Sequence, residues 1–171
     1  MKNISNFNNT SDYLPIFNGV LITEIIILSL VYIGFFKSKV LLEWYDRFHI
    51  FALLADVLII VIGFIITRFL YYKIFNKYSL SRFLILFLVI QITHDVLFYL
   101  FFNYGVPKGK NKMIDLFKKY GEEKGWKAIL GDSTMIVLSV LFATYYKNLS
   151  LNNNIILLIT FIYLICYIIF F

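Results

Sequence analysis

Five runs of mostly apolar residues follow one another along this chain, at roughly 15–36, 48–72, 80–103, 126–146 and 155–171. A helix rises ~1.5 Å per residue and needs about 20 residues, 17 at the least, to cross a hydrocarbon core of ~30 Å. Each run meets that length. The composition excludes the alternative of one large soluble core: 61% of residues are hydrophobic, 15% are charged, and the mean hydropathy is +0.81. Soluble domains carry roughly 45–50% apolar residues and about 25% charge, and 171 residues cannot hide such an excess from water. The expected fold is all-α: a polytopic transmembrane bundle of about five spans with one amphipathic interfacial helix, its first partner being the lipid bilayer.

The net charge of +6 fits the excess of Lys and Arg in cytoplasmic loops of membrane proteins. No nucleic-acid motif accompanies it, so nucleic acid is not an expected partner. Cys166 is the single cysteine, which excludes an intrachain disulfide and a thiolate metal site. No cofactor is implied.

Taken in order, residues 1–14 are polar and Asn-rich and read as a disordered arm. The first span has no small-residue cleavage site behind it and is too long for a signal-peptide core, so it reads as retained. The segment KSKVLLEWYDRFH places Trp44 and Tyr45 among charges, an interfacial pattern. Arg68, near the end of the second span, is expected to snorkel to headgroups. Tyr104 to Pro107 breaks the third span. Over 111–124, Met113, Leu116, Phe117 and Tyr120 fall at i, i+3, i+4 and i+7, with Lys112, Asp115, Lys119, Glu122 and Glu123 on much of the remainder. That is an amphipathic helix, either laid on the membrane surface or packed on the end of the bundle. A turn over 147–154 leads to an uncharged fifth span, read as a lipid-facing outer helix.

With five spans, Lys37, Lys39, Arg47 and the seven lysines of the loop after the third span share one side. Lys2, Arg68, Lys73, Lys77, Arg82 and Lys147 share the other. The larger set points to the cytoplasm, leaving the amino terminus outside or lumenal and the carboxyl terminus cytoplasmic. The N-x-S/T sequons at Asn3, Asn8, Asn9 and Asn148 all fall on the outer side of that arrangement.

A polar layer interrupts the apolar runs. Glu24 lies in the first span, Asp56 in the second, Gln91, His94 and Asp95 in the third, and Asp132, Ser133 and Thr134 in the fourth. Counted at ~1.5 Å per residue from the cytoplasmic ends, Asp56 and Asp95 lie about 12 Å deep, Asp132 about 9 Å and Glu24 about 18 Å. Gln91, His94 and Asp95 share one helical side. Gly131 and Ala55 precede two of the acids and would let helices approach closely. Several carboxylates cannot all stay ionised in a low-dielectric core, so some should share protons. His94 is the nearest cation when protonated, with Arg47 and His49 as possible further partners.

Three readings of the layer stay open at this point. It is polar glue between helices, with bonds of ~0.6–2 kcal/mol each. It is an ion or proton path, with a hard-cation site built from the four acids and His94 as a variant. Or it is an intramembrane enzyme in which two aspartates share a proton. For the last, ILGDS at 129–133 resembles the G-x-G-D of presenilin-type proteases and Tyr45-Asp46 their Y-D. Ile129 stands where the motif's first Gly belongs, however, and Asp46 falls outside the apolar core.

The stretch QITHDVLFYLFF…KGKNKMIDLFKKYGEEKGWKAILGDSTM resembles a group of uncharacterised multi-pass membrane proteins of giant nucleocytoplasmic large DNA viruses. The Asn-, Ile-, Lys-, Tyr- and Phe-heavy texture matches such AT-rich genomes. The resemblance implies a viral protein of the virion membrane or of host-derived membrane, with other membrane or capsid proteins as partners. It attaches no activity. The leading expectation is a structural or assembly component; the alternative is a small proton or cation conductor.

Overall fold

A computed structural model describes residues 2–170, and among these every regular element is helical. Seven α-helices follow in order: α1 (Tyr13–Tyr32), α2 (Lys39–Phe48), α3 (Ile50–Ile74), α4 (Leu80–Gly105), α5 (Lys112–Lys124), α6 (Trp126–Tyr146) and α7 (Leu151–Ile168). A single 3-10 turn, Thr10–Asp12, leads into α1. Five helices, α1, α3, α4, α6 and α7, are long and apolar enough to cross a membrane, which makes this an integral multi-pass membrane protein.

α1, α3, α4 and α6 form a ring in which each packs on the next, and α7 lies outside it against α1. α1 is the hub: 61% of its span is buried within the protein, against 17% for α4 and α7. Its contact with α6 is unusually close because Gly19 lacks a side chain. A Cβ there would lie 2.6 Å from the Ala143 nitrogen and 2.8 Å from the Ser139 carbonyl oxygen. Without a hydrophobic drive between spans, this small-residue seam is how two helices gain contact in lipid. A second close approach sits between α3 and α4, where the Phe87 ring packs directly on Gly63.

Phe64, Phe83 and Phe87 fill the ring between α3 and α4, with Phe64 and Phe87 centroids 4.8 Å apart. All three are fully buried. Along α3, Phe64 falls between Asp56 and Arg68, so this aromatic block divides the interior into two polar ends.

The short helices close one end. α2 packs on α1, α3 and α5, while α5 packs on α2, α4 and α6. Each starts at a side-chain cap: Ser38 Oγ accepts from the Leu41 amide, and Asn111 Oδ1 from the amides of Met113 and Ile114. Each joins its following span through one residue of positive φ, His49 (φ 42) and Gly125 (φ 51). The apolar face of α5 turns inward. Leu116 is buried, Met113 packs against the core, and the Phe117 ring lies tilted against Trp44 at 4.6 Å and edge-on to Phe98 at 5.3 Å. The membrane-surface role expected for Met113, Leu116, Phe117 and Tyr120 therefore gives way to packing on the bundle's end, because Trp44 offers that face an aromatic partner.

The opposite end differs from expectation in three places. The arm expected to be disordered is folded over the bundle, with Ile4 and Ser5 fully buried. Arg68, expected to reach headgroups, is buried beneath it and donates to the carbonyls of Asn6 and Asn9 (2.8 Å to the latter). Finally, α7 begins at Leu151 rather than near residue 155. Ser150 caps it, and the buried Asn154 donates to the Tyr146 carbonyl while accepting from Asn18. Residues 147–150 thus form the turn, and 151–154 of the expected Asn-rich turn are the first turn of the helix.

Candidate functional site: a carboxyl layer under the surface helix

The layer is built where α2 lies over the ends of α1 and α3. Trp44 and Tyr45 are neighbours in sequence, both buried, and both point into the bundle. The Tyr45 hydroxyl lies 2.8 Å from Glu24 Oε1 on α1 and 3.1 Å from Asp56 Oδ2 on α3. Trp44 Nε1 donates to the same Asp56 oxygen at 3.0 Å. One surface helix therefore grips two spans through their acids. Glu24 is completely buried, and among the described residues its second oxygen, Oε2, has no hydrogen-bond partner.

The third span carries its own set. Asp95 Oδ1 accepts from Gln91 Nε2 at 2.7 Å, one turn earlier, and lies 3.1 Å from His94 Nδ1. The His94 ring also packs on Phe98. Asp95 Oδ2 is buried, with no hydrogen-bond partner among the described residues. Asp132 on α6 stands within electrostatic reach of Asp95, Asp56 and Glu24, yet among the described residues nothing hydrogen-bonds to it. Glu24, Asp56, Asp95 and Asp132 thus come from four helices of the ring into one region. No lysine or arginine among the described residues pairs with any of them.

Tyr120 faces the same region from α5. Burial first, then Asp132, Asp56 and Glu123, push its phenol above the ordinary value. Burial, then Glu24 and Asp56, likewise push the Tyr45 phenol well up, so it keeps its hydrogen at neutral pH. At the rim, Ser38 Oγ donates to Glu123 at 2.8 Å, and this bond together with Lys124 holds the Glu123 carboxyl below its usual range.

Several expected members lie elsewhere. Thr134 is exposed and bonds to the carbonyl of Leu130 in its own helix. Ser133 is half-buried and makes no hydrogen bond to the acids. Gly131 faces open space, so the close approaches are made at Gly19 and Gly63 instead. Arg47 pairs with Glu43 on the outer side of α2, and His49 sits at the corner beside Phe170, so neither reaches the layer. Asp46 is exposed, and within Tyr45-Asp46 it is the tyrosine that enters the bundle. Among the described residues no group of three His, Cys, Asp or Glu side chains is arranged to hold a metal ion, which leaves the hard-cation variant without a ligand set.

A second polar cluster went unread in the sequence. Lys147 Nζ lies 2.6 Å from Asp12 Oδ1, and Arg68 Nη2 lies 3.4 Å from Asp12 Oδ2, with Asp12 itself buried. Lys147 also donates to the Asn3 carbonyl, and the Arg68 guanidinium lies 4.6 Å over the Tyr13 ring. Its trace in the sequence was the alternation of spans, which puts Asp12, Arg68 and Lys147 on one side.

Compared with models of protein families, with curated proteins and with solved structures, the chain finds no match in any of the three.

Proposed function

We propose that this membrane protein is a structural or assembly component of a viral membrane, of the virion or derived from the host, and that its carboxyl layer is an adhesive between spans. The observation that carries this reading is direct side-chain bonding. Tyr45 and Trp44 reach Glu24 and Asp56, and Gln91 reaches Asp95, so each of these acids is already engaged by the protein. The block of Phe64, Phe83 and Phe87 adds support, since it sets an apolar wall between the layer and the far end. The AT-rich residue texture supports the viral placement, and the Lys and Arg count supports an amino terminus outside or lumenal.

A small proton or cation conductor is the second reading. What favours it is Asp132, a half-buried acid with no hydrogen-bond partner among the described residues, beside the unpartnered Oε2 of Glu24. Reconstitution into liposomes separates the two. Under the adhesive reading a pH gradient decays no faster with the protein than in empty vesicles. Decay that is fast in the wild type and lost in Asp132→Asn moves the assignment to the conductor.

A further inference from the structure

Tyr45 lies within hydrogen-bond distance of two carboxyl groups, at 2.8 and 3.1 Å, but a phenol carries one hydrogen. Trp44 already donates to Asp56 Oδ2. The second hydrogen for the Tyr45 bridge must come from a carboxyl group. Glu24 is the better holder, because its other oxygen, Oε2, is fully buried with no hydrogen-bond partner among the described residues. A carboxylate oxygen in that place goes without any hydrogen bond, whereas the carbonyl oxygen of a neutral acid loses much less.

We infer that Glu24 is a proton-binding site and that its bound proton is what keeps α2 docked as a lid over the layer. The bonds then run in one direction: Glu24 Oε1 donates to the Tyr45 oxygen, Tyr45 donates to Asp56 Oδ2, and Trp44 donates to the same oxygen. Loss of the proton to solvent leaves two carboxylates facing one phenol hydrogen, with Asp132 a further acid nearby. The repulsion falls on α2, the element that joins the two spans.

Among the described residues no lysine or arginine pairs with these acids; the nearby cations of α5, Lys119 and Lys124, are paired with Glu43 and Glu123. Around the layer stand Glu24 from α1, Asp56 from α3, His94 and Asp95 from α4, Tyr120 and Glu123 from α5, and Asp132 from α6, while Tyr32 of α1 meets Asp46 and Lys119 of α5 meets Glu43 on α2. On α2 itself, Glu43, Asp46 and Arg47 lie on the outer side, and His49 ends the helix. The lid is also hinged. Gly34 (φ 76) precedes α2 and His49 (φ 42) follows it, both in backbone conformations separate from the helices they adjoin. This inference rests on the adhesive reading and adds the condition under which the adhesion holds.

Trp44 is the reporter. The chain has two tryptophans, so the test uses the full chain with Trp126→Phe in lipid nanodiscs. Iodide quenching of Trp44 is followed across ~pH 4 to 9, where buried carboxyls titrate. Quenching should be weak in acid and rise severalfold as pH increases, while Glu24→Gln, permanently neutral and able to donate, should stay weakly quenched throughout. Equal quenching at both ends in the wild type, or a Glu24→Gln curve that tracks it, overturns the inference. Should Glu24→Gln fail to fold, the infrared carbonyl band of a protonated carboxylic acid is followed in the wild type. Its loss over the range in which Trp44 opens supports the inference, and its absence at neutral pH overturns it. Proton flux in liposomes has no bearing on the quenching readout, so failure of the adhesive reading is seen separately.

Discussion

The Tyr45 hydroxyl stands 2.8 Å from Glu24 Oε1, joining a surface helix to the central span at a point where both residues are buried. Tyr45→Phe removes that bridge without changing the shape of the ring. It should destabilise the bundle by about 1–3 kcal/mol, the range for leaving a buried polar group without its partner. Glu24→Leu should match it, and Glu24→Gln should lose less. Reversible unfolding in mixed micelles gives the comparison; a neutral Tyr45→Phe would remove the bridge from any account of stability.

Alkaline titration offers a second check. The Tyr45 and Tyr120 phenols are raised, chiefly by burial, from an ordinary value of 10.0. For a group whose pKa is raised by folding, the associated stability is complete below the unfolded value and is lost as pH climbs through the folded one. In Glu24→Gln, where α2 stays docked at every pH, ultraviolet absorbance should therefore show these two tyrosines ionising after the exposed ones. The late phase should shrink in Tyr45→Phe, and the protein should lose stability only above about pH 10 on this account. Glu123 has the opposite sign: its carboxyl is lowered by Ser38 and Lys124. The α2–α5 tie should be intact above the ordinary carboxylate range and weaken as pH falls through the lowered value, an effect absent in Glu123→Gln.

Asp12 pairs with two cations at once, one through each carboxylate oxygen. Asp12→Ala leaves Arg68 and Lys147 without their shared carboxylate, a loss of about 3–5 kcal/mol for breaking a buried pair. The triple variant Asp12→Ala, Arg68→Met, Lys147→Met should be milder than Asp12→Ala alone, because the carboxylate and both cations then leave together. The sharper signature is local: hydrogen exchange at Ile4 and Ser5, now buried, should quicken in Asp12→Ala more than exchange in α4.

Gly19→Val tests the α1–α6 seam. Even a Cβ would sit 2.6 Å from the Ala143 backbone, and backbone cannot rotate away as a side chain does. The helices must part, with a cost of about 1–3 kcal/mol or more for overpacking. Gly131→Val, at a glycine with open space around it, should be tolerated, and a comparison of the two by thermal unfolding decides whether position or residue type matters.

The spans were legible because apolar length is a one-dimensional signal, and each of the five begins or ends within a few residues of the expected position. The gathering of Glu24, Asp56, Asp95 and Asp132 was legible too, since alternating spans give each acid a depth. Which groups would bind them was not. Trp44 and Tyr45 read as interfacial because aromatic residues among charges usually are, and only the corner at His49 turns them inward. The arm misled for a related reason. Its polar residues cannot build a core, but their backbone carbonyls can solvate a buried Arg68, and composition does not record where a carbonyl will be needed. Thr134 shared the segment of Asp132 but not its helical face, a distinction that spacing could have drawn.

The three phenylalanines set between Asp56 and Arg68 make the interior unequal along its length. Among the described residues no side-chain hydrogen bond links the acids on one side of that wall to the basic residues on the other, so a substitution at one end should leave the other end's contacts in place. A change of environment at one face of the membrane would accordingly be registered by one half of the molecule alone.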